Sequence, residues 1–267
     1  MGADHSRLRT GLEPFRAVLT QRDTTGQPFI IVGGQAANIW AALYLSQESR
    51  LQAHLPFTSK DLDLVGTKSD AERVANAVHW NAAPPPIRGG PVEAVLSSEP
   101  DGRGLTVEFL REIKGVPHDT ILAYARENLV RVPGSDEPVP VRVLDPVLLL
   151  AGKIRNAVDI EQDTPDRPRQ DVKHVAMLAL CVPHFLNDVL AQTTDQAQQR
   201  NVCGKYIGTL AGLKNAYSGR QFEGRYPGVI HWQELIPQTI QRISFNEQIR
   251  ASLRQLTGRG QSRGLSI

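Results

Sequence analysis

Two stretches decide the reading of this chain: Phe29-Ile30-Ile31-Val32-Gly33-Gly34-Gln35-Ala36-Ala37-Asn38-Ile39-Trp40 and Asp61-Leu62-Asp63-Leu64-Val65. The first begins as a continuous apolar run closed by two glycines, which predicts a buried strand with a sharp exit. Ala36, Ala37, Ile39, Trp40, Leu43 and Tyr44 then recur at helical spacing, so a helix is expected from residue 35 to about 46. The second stretch alternates polar and apolar residues as a half-buried strand does. Side chains two apart on a strand share a face, so Asp61 and Asp63 converge on one point.

Working outward, strands are expected at 92–96 and 105–110, the latter with Thr106, Glu108 and Leu110 on one face. Val139 to Leu144 reads as a last strand, after which Asp145 caps and Pro146 opens a helix running through Lys153. Upstream, Leu8, Leu12, Phe15, Val18 and Leu19 predict an opening amphipathic helix from residue 6 to about 22. Ser69 is expected to cap a helix reaching about residue 80, followed by turns at Pro84-Pro85-Pro86 and Gly89-Gly90. Beyond 145 the sequence reads as helices only, at 169–180, 185–198, 204–217, 230–242 and 246–256. The expected fold is α/β (α+β): a small mixed-sheet module with flanking helices over 1–145, an all-helical domain over 146–257 and a flexible tail over 258–267.

Composition sets the outer bounds. The 267 residues are 40% hydrophobic and 22% charged, near globular averages, which excludes a disordered chain or a membrane bundle. A net charge of +2 excludes a global basic bias toward nucleic acid but leaves room for a local basic groove. At 6% aromatic, a stacking platform for single strands is not expected. Cys181 and Cys203 are too few for a disulfide framework and too far apart for a metal knuckle, so they read as buried thiols in a reducing, cytoplasmic setting. No run approaches the roughly 18 apolar residues of a membrane span, so no membrane partner is expected. Met1, Gly2 and Ser6 fit the loose N-myristoylation pattern, a match common by chance.

The chemistry resides in the combination. Two hard carboxylates, Asp61 and Asp63, invite a divalent cation such as Mg2+ or Mn2+, which is held by one or two carboxylates plus substrate phosphates. Glu108, flanked by buried residues, could complete that metal site or act as a base. Gly33 and Gly34 let a backbone approach a phosphate closely, with the following helix dipole aimed at the anion. This strand, Gly-Gly, helix and Asp-x-Asp strand resembles the polymerase-β-like nucleotidyltransferase pattern. Asp145-Pro-Val-Leu-Leu-Leu-Ala-Gly-Lys153, Arg167 and Asp171-Val-Lys-His-Val-Ala-Met-Leu are similar to a downstream lysine and Arg/Lys-Asp helix motif of the AbiEii-type toxins of type IV toxin–antitoxin systems.

The resemblance covers about residues 29–110 and continues to about 180. It implies that Asp61 and Asp63 bind the catalytic metals and that Gly34 and Gln35 bind the nucleotide phosphates; on the residues' own chemistry Gly33 and Lys60 would join the nucleotide site and Glu108 the metal site. Lys153 would hold the triphosphate, and Asp171 would support the site from the helical part. The implied activity is transfer of a nucleoside monophosphate from an NTP to a hydroxyl of RNA or protein, with a cognate antitoxin as a further partner. Two features depart from the pattern: the loop before Asp61 is longer, and the third acid is glutamate where aspartate is commoner.

Other readings stay open. Asp61 and Asp63 can be a solvated strand edge, Glu108 an ion-pair partner, and Lys153, Asp171, Lys60 and Arg167 ordinary surface charges. Arg88-Gly89-Gly90 is one unit of an RGG segment, and a single unit is only a turn. His174 and His184 sit on or beside a helix without ligand spacing. At the level of function, the rivals are a nucleotide-sensing or protein-binding module of the same fold, a transferase with a small-molecule acceptor such as an aminoglycoside, and a sugar-nucleotide glycosyltransferase.

Overall fold

Strand β1 (Ile30–Val32), paired on both edges within a seven-stranded sheet, is buried at all three positions because its side chains meet core on both sides. The computed structural model describes residues 10–85, 90–99, 104–133, 137–164 and 167–258, of which 163, 164, 167 and 168 are described only as backbone. On one side β1 pairs antiparallel with β2 (Asp61–Val65), Val32 lying opposite Asp63. On the other it pairs parallel with β7 (Val139–Leu144). The full order is β3 (Asn81–Ala83), β4 (Val92–Ser97), β5 (Thr106–Leu110), β2, β1, β7 and β6 (Ala125–Val130). The parallel pairs β2/β5 and β1/β7 stand among antiparallel ones, so the expected mixed α/β class holds.

The helices are α1 (Arg16–Leu19), α2 (Gly33–Tyr44), α3 (Lys68–Val78), α4 (His118–Tyr124) and α5 (Pro146–Asp159). After a two-residue hairpin of β8 (Asp163–Thr164) and β9 (Arg167–Pro168) come α6 (Asp171–Gln192), α7 (Gln196–Asn215), α8 (Tyr217–Arg225), α9 (Gln238–Gln241) and α10 (Glu247–Thr257). The two parts of the chain share one buried cluster that runs from the sheet to Trp232. Trp40 of α2 anchors it, donating its indole N–H to the Leu144 carbonyl at 2.8 Å. Its ring meets Phe185 edge-on at 5.4 Å, and Phe185 meets Tyr206 at 5.5 Å, a chain of edge-to-face contacts that adds to apolar burial.

Several expectations are corrected. The opening helix shortens to a 3-10 turn at Glu13–Phe15 and the single turn of α1, because Gly11 and Pro14 interrupt the pattern and Thr10 pairs instead with Ser59. α2 begins on the glycines themselves rather than at Gln35. The cap of α3 is Thr67, not Ser69: its hydroxyl accepts from Asp70 N–H while the Asp70 carboxylate reaches back. Thr67→Ala is therefore expected to cost about 1 kcal/mol, read as a shift in the urea midpoint without a change in slope.

Helices expected at 169–180 and 185–198 are one element, α6, which passes through Pro183 because Val182, Phe185 and Leu186 are held in the core on either side of it. Residues 230–242 form only a 3-10 turn and the one-turn α9. Strands β3 and β6 and helices α4 and α8 were not anticipated, and the β8/β9 pair corrects the expectation of helices only beyond 145. The N-myristoylation pattern, Arg88 and Gly89, and the tail from 259 lie outside the described residues. α6 meets the length and mean hydropathy of a membrane span, yet more than half of that window is buried within this fold.

Candidate active site

Strand alternation puts Leu62 and Leu64 into the core and turns Asp61 and Asp63 to the opposite, half-buried face. The parallel register aligns Asp61 with Thr106 and Asp63 with Glu108, so the three carboxylates share one face of two adjacent strands. β1 brings the glycine turn to the same place. Gly33 has a φ of 67°, and a Cβ there would fall 1.6 Å from Asp63 Oδ2. Two independent reasons therefore require glycine: a left-handed backbone and the volume taken by the carboxylate. A Cβ on Gly34 would meet Ser59 Oγ at 2.4 Å, and that hydroxyl lies 3.4 Å from Asp61 Oδ1.

The anion facing the start of α2 is Asp63 itself, which accepts the Gly34 backbone N–H. Burial, with Asp61 and Glu108 beside it, still pushes the Asp63 carboxyl well above the ordinary range, against the opposing pull of Lys153 and that N–H. Mutually repelling hard oxygen donors of this kind suit a divalent cation, which relieves the repulsion. Among the described residues no three His, Cys, Asp or Glu side chains close a metal cage by themselves. Asp61 and Asp63 are the residues that could hold such an ion, with substrate oxygens and water as its further ligands and Glu108 standing beside it.

α5 and α6 supply the positive side. Lys153, 8% exposed, places Nζ 2.9 Å from Asp171 Oδ1, and Arg169 Nε lies 2.6 Å from Asp171 Oδ2. Burial alone would raise the Asp171 carboxyl, but these two cations hold it down to about 2. Lys153 also acts on Asp63, so it links the helical part to the carboxylates. His174, one turn beyond Asp171 and buried, brings Cε1 within 3.1 Å of a Cβ built on Gly34. Lys60 sits half-buried immediately before Asp61. The side chain of Arg167 lies outside the described residues.

Gln35 is corrected. It is fully buried, its Nε2 donates to the Thr10 and Gly11 carbonyls, and its Oε1 accepts from Asn38. Its side chain pins the N-terminal segment to α2; only its backbone N–H, in the first helical turn, faces the anion end. His184 lies elsewhere, stacked on Tyr44 and 3.6 Å from Glu48. Sequence reasoning did not select Ser59, Arg169 or a packing role for His174. The signals available were Ser59 two positions before Asp61, and the helical spacing of His174 from Asp171. Neither a scan of protein-family models nor a comparison with curated proteins returns a match.

Proposed function

We propose that this chain is a metal-dependent nucleotidyltransferase that moves a nucleoside monophosphate from an NTP to a hydroxyl of RNA or protein. The observation that carries the reading is the Gly33-Gly34 turn closing over Asp63, with Asp61 on the same strand face and Glu108 in register beside it. Asp61 and Asp63 would hold Mg2+ or Mn2+, which supplies charge neutralisation to the phosphates. The acceptor oxygen forms a bond to the α-phosphorus as the bond from that phosphorus to the bridging oxygen breaks, and pyrophosphate leaves. Glu108 accepts the hydroxyl proton, and Lys153, with Asp171 and Arg169 fixing its position, stabilises the charge on the departing pyrophosphate. The resemblance to AbiEii-type toxins extends the proposal to one half of a toxin–antitoxin pair.

One observation favours a second reading, a nucleotide-binding module with little turnover: Lys153 is already paired with Asp171. Label transfer from four α-labelled NTPs separates the two, with Mg2+ or Mn2+, total RNA and the protein itself as acceptors, and Asp61→Asn alongside. The transferase reading expects label on RNA or protein with wild type and at least a hundredfold less with the variant. NTP binding with no label moved under either metal would give the second reading the lead.

A further inference from the structure

The net charge of +2 conceals a division. Residues 196–267 hold ten Lys and Arg against three Asp and Glu, a net of +7, so the first 195 residues are at −5. The boundary coincides with the start of α7. Arg200, Lys205, Arg220, Arg225, Arg242, Arg250 and Arg254 are all exposed on α7, α8, α10 and the turns between them. Glu247 is shared by Arg250 and Arg254, so even this paired group keeps a positive excess.

Three of these cations fall at one groove or next to its lining in sequence. α7 and α10 pack together, with Ile249 against Gly204, and the seam opens as a groove of about 500 Å3. Arg200, Asn201, Ser244, Asn246 and Ile249 line it, over the buried Phe245. Arg242 lies two residues before this lining and Arg250 one turn after Asn246, whose carbonyl accepts the Arg250 N–H at 3.0 Å. The lining holds one arginine, three hydrogen-bonding side chains and no acid, while Glu247, next to Asn246, pairs with the flanking Arg250 at 3.3 Å.

We propose that this groove and the arginines flanking it bind the sugar-phosphate backbone of a folded RNA. The charge is that of a polyanion site, since each phosphate neutralised by Arg or Lys releases counterions. The lining argues for a helical stem over a single strand: Phe245 is buried, which leaves no exposed ring in the groove for bases to stack on. Asn201, Ser244 and Asn246 offer partners for 2′-hydroxyls, the groups displayed across the shallow groove of an RNA duplex. Binding itself does not depend on the nucleotidyltransferase reading; only the use of the surface to deliver an acceptor rests on it.

The test is done on the full chain carrying Asp61→Asn, so that transfer plays no part and its failure is scored separately. Binding to a 20-base-pair RNA hairpin of arbitrary sequence is titrated over a salt series and compared with the triple variant Arg200→Gln, Arg242→Gln, Arg250→Gln. The exposed Lys68→Gln serves as a control outside the surface, and thermal melts check that each variant is folded. The expected result is at least a tenfold loss of affinity in the triple variant at about 0.1 M salt, a salt slope shallower by about two to three, and no change in the control. Equal affinity and slope in the triple variant would overturn the proposal. So would a DNA hairpin, a single-stranded oligonucleotide or anionic phospholipid vesicles retained as strongly as the RNA.

Discussion

Asp63→Asn is expected to melt above the wild type near neutral pH while losing transfer by on the order of a thousandfold. The two effects share one cause. The folded carboxyl ionises well above its ordinary value of 3.8 because it is buried and faces Asp61 and Glu108. In the unfolded chain it ionises near the ordinary value. At pH below both values the group is neutral in either state and costs nothing. As pH rises from the unfolded value through the folded one, the native state is penalised, and stability falls. The amide removes the charge while keeping an acceptor for the Gly34 N–H. A melting series from pH 4 to 8 reads the difference, which should widen with pH. Divalent cation should raise the wild-type midpoint more than the variant's. A variant that melts lower at every pH would sink the repulsion account.

Asp171→Ala is expected to lose about 3 kcal/mol of stability, because it takes from Lys153, 8% exposed, its hydrogen-bonded counter-charge and leaves only the weaker pull of Asp63. Adding Lys153→Met should restore part of that loss, since the remaining cost is then a cavity and not a buried charge. Acid behaviour gives an independent check. The Asp171 carboxyl is held down to about 2 by Lys153 and Arg169 against its burial. Its contribution is therefore present above the unfolded value near 4 and is lost as pH falls through 2, so Asp171→Asn should flatten the acid limb of the stability profile. If the double variant were no more stable than Asp171→Ala, the ion pair would not be the source of the loss.

What the sequence disclosed follows the strength of each physical signal. β1, β2 and β7 were legible to within a residue because burial imposes an apolar run or a strict alternation. Asp145-Pro146 announced α5 because capping chemistry is local: Asp145 accepts the Leu148 N–H at 2.8 Å. β3 was not legible, since all three of its residues are exposed and nothing in Asn81-Ala82-Ala83 alternates. β6 is an edge strand whose exposed Leu129 breaks the pattern. Thr67 and Ser69 both have the chemistry of a cap, and only the reach of the Asp70 carboxylate selects Thr67. In the site, the convergence of Asp61 and Asp63 is a property of one strand and could be read. That Glu108 stands in register with Asp63, or that His174 rests on Gly34, depends on pairings between distant segments.

The position of β1 also fixes an order of assembly during synthesis. One side of this strand is satisfied early by β2, but the other waits for β7, and Trp40 waits for a carbonyl 104 residues downstream. At roughly 5–20 residues per second, a ribosome delivers both aspartates and Glu108 seconds before the strand that completes the sheet. During that interval the nascent chain exposes the backbone edge of its most apolar strand beside a finished set of carboxylates. Fragments ending before Val139 keep that edge open permanently, which makes the β1 edge the place where self-association of truncated chains would begin.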